Sequence, residues 1–147
     1  MTWCIKSFQE LTNGELYEIL QVRTAIFVVE QKCAYLEVDG KDKLAYHLFK
    51  KEDRKIIAYL RVLPKGISYQ EASLGRIIVK QEQRGTGLGR ELVARGIDFL
   101  ENEWHEKTIK IQAQSRLQTF YESFDFRLIS DIYSDEGLPH VDMLKTP

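Results

Sequence analysis

The stretch that most restricts this chain runs from an aliphatic strand through a glycine-rich bend and straight into a helix. Ser73 to Val79 ends in Ile77-Ile78-Val79, an apolar run that implies burial on both faces of a sheet. Arg84-Gly85-Thr86-Gly87-Leu88-Gly89 follows, and Leu88, Leu92, Val93, Ile97 and Leu100 then mark one helical face. Three glycines at alternate positions exceed what a tight turn requires. They let the backbone take positive φ and come close to a ligand. The first helical turn adds unpaired N–H groups and the positive end of the macrodipole. Strand, bend and helix start together make a cradle for phosphate.

Two common phosphate loops do not fit this cradle. G-x-G-x-x-G needs a sixth-position glycine, where Arg90 follows from Gly85 and Leu92 from Gly87. In G-x-x-x-x-G-K-[ST] the second Gly and the Lys would fall on Arg90 and Glu91. Both motifs also open an alternating βα run, whereas this strand is the fourth along the chain.

A length of 147 residues suits one domain, residues 1–147, with no linker to divide it. Lys plus Arg number 21 against 22 Asp plus Glu, so no net field recommends a nucleic acid or an acidic membrane as partner. Cys4 and Cys33 form no CxxC pair and read as buried thiols in a reduced, cytoplasmic setting. Lys6, Glu10 and Glu15 interrupt any apolar run near the start, and no stretch reaches the ~20 residues of a membrane helix.

The remaining elements read in order. Trp3 to Phe8 is a strand, and Thr12-Asn13-Gly14-Glu15 has the spacing of a capping box. Leu16, Ile19, Leu20 and Phe27 follow on a helical stripe that also takes in Arg23, giving way to a short helical turn or loop before Cys33. Ala45 to Phe49 and Ile56 to Leu63 are strands joined by the charged turn Lys50 to Lys55. Thr108 to Ala113 is a further strand, and Leu117, Phe120, Tyr121 and Phe124 form a short helical stripe. Phe126 to Tyr133 and Val141 to Leu144 close the sheet around a long loop, Ser134 to His140. One mixed sheet covered by helices is the packing this order demands.

Here the chain resembles the GNAT family of N-acetyltransferases. Arg84, Gly87 and Gly89 match the family's R-x-x-G-x-G/A signature, with Val79 at the usual distance before the Arg. A second family pattern, N-x-x-A-x-x-x-Y-x-x-x-G-F, aligns with Gln114, Leu117, Tyr121, Asp125 and Phe126. Three positions depart from it, but the Tyr is kept. The run from Arg23 through Phe27 to Cys33 and Asp39-Gly40, with the late Gly137-Leu138-Pro139-His140, resembles the ElaA-type branch.

The resemblance implies an α/β (α+β) acyl-CoA N-acyltransferase fold. Its mixed central sheet has about six to seven strands, splayed in the middle and flanked by about four helices. It implies acetyl-CoA as co-substrate, a small amine or peptide as acceptor, no metal, and a monomer or homodimer. Ile77, Ile78 and Val79 would offer backbone groups to the pantetheine arm, a main-chain N–H of Ile78 or Val79 polarising the thioester. The turn Arg84, Gly85, Thr86, Gly87, Leu88, Gly89 and Arg90 would take the diphosphate. Gln114 stands where the family has an amide, and Tyr121 would protonate the departing thiolate, a phenol of pKa ~10 suiting that task.

The general base is left open among Glu30, His47, His140 and a water chain. Arg23 and Arg61 sit in apolar segments, where an unpaired charge is costly. Pairing with a carboxylate such as Glu30 or Asp39 is the plainer reading, and recognition of an acceptor carboxylate the sharper one. Two other classes compete. Arg23, Phe27, Glu37, Asp39 and Asp42 with Leu60 to Pro64 faintly resemble acyl-homoserine-lactone synthases. A non-catalytic acyl-CoA-binding sensor would keep the cradle alone.

Overall fold

A computed structural model of the chain describes residues 2–147. Strand β1, Thr2–Ser7, leads through a 3-10 turn at Phe8–Glu10 into α1, Asn13–Thr24. The capping box closes as its spacing requires: Glu15 N donates to Thr12 Oγ1 at 3.1 Å, and Thr12 N to a Glu15 carboxylate oxygen at 2.9 Å. Such a cap is worth ~1 kcal/mol. α1 then widens without a break into a π turn, Ala25–Glu30.

Strands β2, Tyr46–Glu52, and β3, Lys55–Leu63, are joined by Asp53 and Arg54 alone, at φ 51° and 66°. The turn is shorter than expected from Lys50 to Lys55, because the hairpin rim accommodates those charges on the strands themselves. After β4, Ala72–Val79, come the glycine bend and α2, Leu88–Asp98. β5, Ile109–Gln114, and α3, Gln118–Glu122, precede β6, Arg127–Leu128, β7, Tyr133–Asp135, and β8, Leu138–Lys145. The expected long loop Ser134 to His140 is a tight β7–β8 hairpin. Glu136 and Gly137 turn it at φ 51° and 78°.

The eight strands form one sheet in the order β1-β2-β3-β4-β5-β8-β6, with β7 beside β8. Among the described residues three α-helices flank it rather than four, since the segment after α1 is a π turn and not a separate helix. β3 is buried at all eight positions after Lys55. α1 covers one side of it with Ile19 and Val22 against Phe49, Ile56 and Tyr59. α2 joins the other core through Leu92, Val93 and Ile97, with Leu60 and Leu74. Gly96 lets α2 approach closely: a Cβ there would lie 3.0 Å from Leu60 and 3.2 Å from Leu74.

The sheet parts in its middle. β4 and β5 run parallel but pair only at Ala72–Ile109 and Ser73–Lys110. Beyond Ser73 the two strands separate, and the candidate site occupies the gap.

Candidate active site

A cavity of about 420 Å³ fills the gap. Ser73 to Ile77 of β4 line one side, and Gln112 to Gln114 of β5, Leu117 and Tyr121 the other. Tyr35, Asp39, Arg61 and Tyr69 lie on its wall, as do Asp135 and His140 of the β7–β8 hairpin.

The backbone of β4 explains which groups face the gap. Lys80 N donates to Ile57 O at 2.9 Å. In an antiparallel ladder alternate residues bond to the partner, so Ile78 turns its backbone to β3 while Val79 turns its own away, and Ile77 has no register partner on β3. Consistent with this, Val79 O accepts from Arg84 Nε at 3.0 Å. The Ile78 side chain is buried under α1.

A bulge interrupts the same strand. Tyr59 stands opposite Ile78 but Arg61 opposite Gly75, so β4 carries one residue more than β3 between them. Arg76 adopts φ 50° there, the one non-glycine residue inside a strand with left-handed backbone among the described residues. Holding a non-glycine residue in that region costs about 1–3 kcal/mol.

The glycine bend is built as a cradle. Gly85 and Gly87 adopt φ 80° and 86°, and Arg84 to Gly87 are exposed. Gly87 caps α2, whose first intrahelical bond runs from Glu91 N to Gly87 O at 3.1 Å. The amides of Leu88, Gly89 and Arg90 therefore precede the helical ladder and are free to donate. The Thr86 hydroxyl donates to Gln83 O at 2.7 Å, fixing the bend. Arg90 reaches Ser123 Oγ at 3.1 Å and lies over the Phe120 and Phe124 rings, tying the bend to the helix that carries Tyr121.

Tyr121 is 5% exposed, and burial pushes its phenol up to about 12 against the opposing pull of Arg116. Gln114 Oε1 accepts from Arg116 Nε at 3.1 Å, and Gln114 pairs in register with His140. His140 Nδ1 lies 2.8 Å from Leu138 O. A carbonyl only accepts, so Nδ1 is the donor of this bond and Nε2 is the ring nitrogen left to other partners.

The other polar candidates divide. Glu30 pairs with Arg84 at 3.1 Å on the exposed rim of the bend. His47 is fully buried, its rings of contact closed by Tyr59 Oη at 2.7 Å and Asp42 O at 3.0 Å, and burial lowers its affinity for a second proton. Arg23, fully buried, spends its donors on Glu37 and Asp42, each at 2.6 Å. Arg61 takes Asp39 through two nitrogens at 2.8 and 2.9 Å and touches Asp42 at 3.1 Å. Burial alone would raise the Asp39 carboxyl, but Arg61 outweighs it and holds it at about 2.

Glu37, Asp42, Tyr35 and Arg76 belong to this network, yet their part in it escapes sequence reading. One local signal exists: Cys33, Tyr35, Glu37 and Asp39 alternate inward against exposed Ala34, Leu36, Val38 and Gly40, a strand-like period in a loop. Among the described residues, no helix is long and apolar enough to cross a membrane, and no group of three His, Cys, Asp or Glu side chains could hold a metal ion.

Comparison with known proteins agrees with this architecture. A family model for the acetyltransferase (GNAT) domain matches residues 17–147. The chain is 33% identical over 145 residues to protein ElaA of Escherichia coli, covering 97% of this chain and 95% of that one. It is 39% identical to a UPF0039 protein of Schizosaccharomyces pombe, over 94% of this chain and 92% of that protein. Among solved structures, an acyl-CoA N-acyltransferase from Pseudomonas aeruginosa superposes with a TM-score of 0.94 at 35% identity, covering 99% of this chain and all (100%) of that one. Escherichia coli ElaA superposes with a TM-score of 0.92 over 98% of both chains. The chain therefore belongs to the GNAT acetyltransferase family and, within it, to the ElaA-type branch.

Proposed function

We propose that the protein transfers the acetyl group of acetyl-CoA to a primary amine by direct attack in a ternary complex. The observation that carries this reading is continuity. β4 runs from the cavity beside Tyr121, past Ile77 and Val79, into a bend of free amides. A thioester carrier laid along that strand has its diphosphate at Gly85 to Arg90 and its reactive carbon in the gap. Ile77 and Val79 then serve the pantetheine amides and the thioester carbonyl, and preorganised N–H donors strengthen as charge develops on that oxygen.

Within this reading His140, which lines the cavity with Nδ1 turned to Leu138 O, accepts a proton from the acceptor's ammonium through Nε2, and the neutral amine so formed attacks the thioester carbon. Glu30 and His47 are committed to Arg84 and to Tyr59 and Asp42. Tyr121 donates to the departing sulfur. Arg23 and Arg61 act as structural ions rather than substrate ligands, because carboxylates of the chain already hold them. The 147 residues work as one catalytic domain, and the two free cysteines suit a reduced cytoplasm.

Calorimetry with coenzyme A, followed by thiol release from acetyl-CoA over a panel of primary amines, tests the proposal. Micromolar binding and amine-dependent release are expected. Folded protein that yields no heat with coenzyme A sinks it. Binding without turnover on any amine would favour a sensor.

A further inference from the structure

We propose that the Arg76 side chain, clamped by the loop Cys33 to Asp42, is a positioning residue that sets the β4 bulge and so aims the Ile77 amide into the cavity. This rests on the acyl-transfer reading only for its catalytic consequence. The clamp itself stands on geometry.

Arg76 occupies a backbone conformation that favours glycine, at φ 50° in the middle of a strand. Its side chain is tied down on several sides. Nε lies 2.8 and 2.9 Å from the two Glu37 carboxylate oxygens, and Nη2 lies 3.2 Å from Glu37 O and 3.4 Å from Asp39 Oδ2. The guanidinium carbon sits 5.8 Å from the centre of the Tyr35 ring. The clamping groups are themselves fixed. Glu37 is 4% exposed and held by Arg23 at 2.6 Å and by the Tyr35 hydroxyl at 2.5 Å. Asp39 is gripped by Arg61 through two nitrogens.

Three arginines thus interleave with three carboxylates, and the charges balance. Asp42 Oδ2 and Arg61 Nε are nevertheless buried with no partner among the described residues. A buried ionic cluster left incompletely satisfied is poor value as a stabiliser, since desolvation offsets its attraction. Its geometric effect is clear: it fixes the one residue that keeps β4 and β3 out of regular register. The next residue, Ile77, lines the cavity and has no register partner on β3. Tyr35 and Asp39 line the same cavity. One loop therefore shapes part of the cavity wall and holds the residue that precedes Ile77.

Three variants separate the parts. Arg76→Ala removes the clamp and keeps the backbone cost, Arg76→Gly removes both, and Arg76→Lys keeps one charge. Arg76 is 22% exposed at its side chain, so folded protein is expected in each case, checked by circular dichroism. Amide exchange by NMR is read at Ile77 and Ile78. In the parent chain Ile77 exchanges faster than Ile78. In Arg76→Ala the Ile77 amide shifts and its exchange approaches that of a ladder residue, while Arg76→Gly keeps the parent pattern. In turnover, Arg76→Ala loses about tenfold or more in kcat, a fraction of what deleting an oxyanion donor costs. Its KM for acetyl-CoA stays within about twofold, while Arg76→Gly and Arg76→Lys recover most of kcat.

An Arg76→Ala variant with unchanged Ile77 exchange and parental kcat overturns the proposal. So does an Arg76→Gly variant as impaired as Arg76→Ala, because the side chain would then act directly. If the parent chain neither binds coenzyme A nor turns over, the acyl-transfer reading falls, and the Ile77 exchange pattern still decides the clamp.

Discussion

Burial pushes the Tyr121 phenol up to about 12 against the pull of Arg116, so the hydroxyl carries its proton at any working pH. A sulfide leaving as a thiolate, with a thiol pKa near that of cysteine at about 8.5, takes that proton only uphill. In the proposed transfer Tyr121 first supplies a hydrogen bond to growing negative charge, with proton transfer completing as the thiol departs. Tyr121→Phe keeps the ring in its contacts with Phe120 and Phe126 and removes only the donor. We expect kcat to fall by about 10²-fold with coenzyme A affinity unchanged by calorimetry. A Phe variant with parental kcat would strip Tyr121 of the role. His140→Ala tests the opposite proton transfer. It opens a hole beside Gln114, and added imidazole should restore part of the lost rate. A base acting from elsewhere would show no such recovery.

At the scale of the element, α2 is both the most legible part of the chain and the most tightly seated. Its apolar stripe and glycine entry are local, and so is the Thr12–Glu15 box that starts α1. Each is fixed by residues within one or two turns. Gly96 carries a constraint that no stripe reveals, because a Cβ there would meet Leu60 Cδ2 at 3.0 Å and Leu74 Cδ2 at 3.2 Å. Gly96→Val should cost about 2 kcal/mol and lower Tm by ~4–8 °C. Gly14→Ala is the control: its Cβ meets only Thr12 Oγ1 at 4.0 Å, and the better helix former gains up to ~1 kcal/mol. Equal melting of the parent and Gly96→Val would refute the close seat of α2 on β3 and β4. The hairpins were harder to read for a physical reason. Asp53-Arg54 and Glu136-Gly137 take left-handed turns largely with non-glycine residues. Turn chemistry alone therefore suggests longer loops than the strand pairing permits. The pairing of Arg61 with Asp39 is among those the sequence suggests, whereas the partners of Arg23 lie beyond local reading. Buried charge predicts that a partner exists, but Asp39 was one of several carboxylates within reach, and choosing Glu37 and Asp42 for Arg23 takes the folded loop.

Across the whole molecule, element order follows from periodicity, whereas the parting of β4 from β5 after two residue pairs depends on long-range register. Stability is likewise shared among distant elements, and Glu15 shows how. It sits on the first turn of α1, accepts Lys6 of β1 at 3.0 Å and Lys51 of β2 at 3.3 Å, and caps the helix through Thr12. Burial pushes its carboxyl up, but the Thr12 amide and the two lysines outweigh that and bring it from 4.5 down to about 2. A carboxyl depressed in the folded state contributes stability that is present above its unfolded pKa. That contribution is lost as pH falls through the folded value. The window here lies between pH 4.5 and about 2. With the lysines 32% and 30% exposed, solvent screening limits the contribution to about 1–2 kcal/mol. Glu15→Gln should therefore unfold at lower urea than the parent at neutral pH, and the gap should close by about pH 2. Parallel urea titrations down that range check it. A gap that persists undiminished at low pH would mean that shape, and not charge, makes Glu15 the pin between β1, α1 and β2.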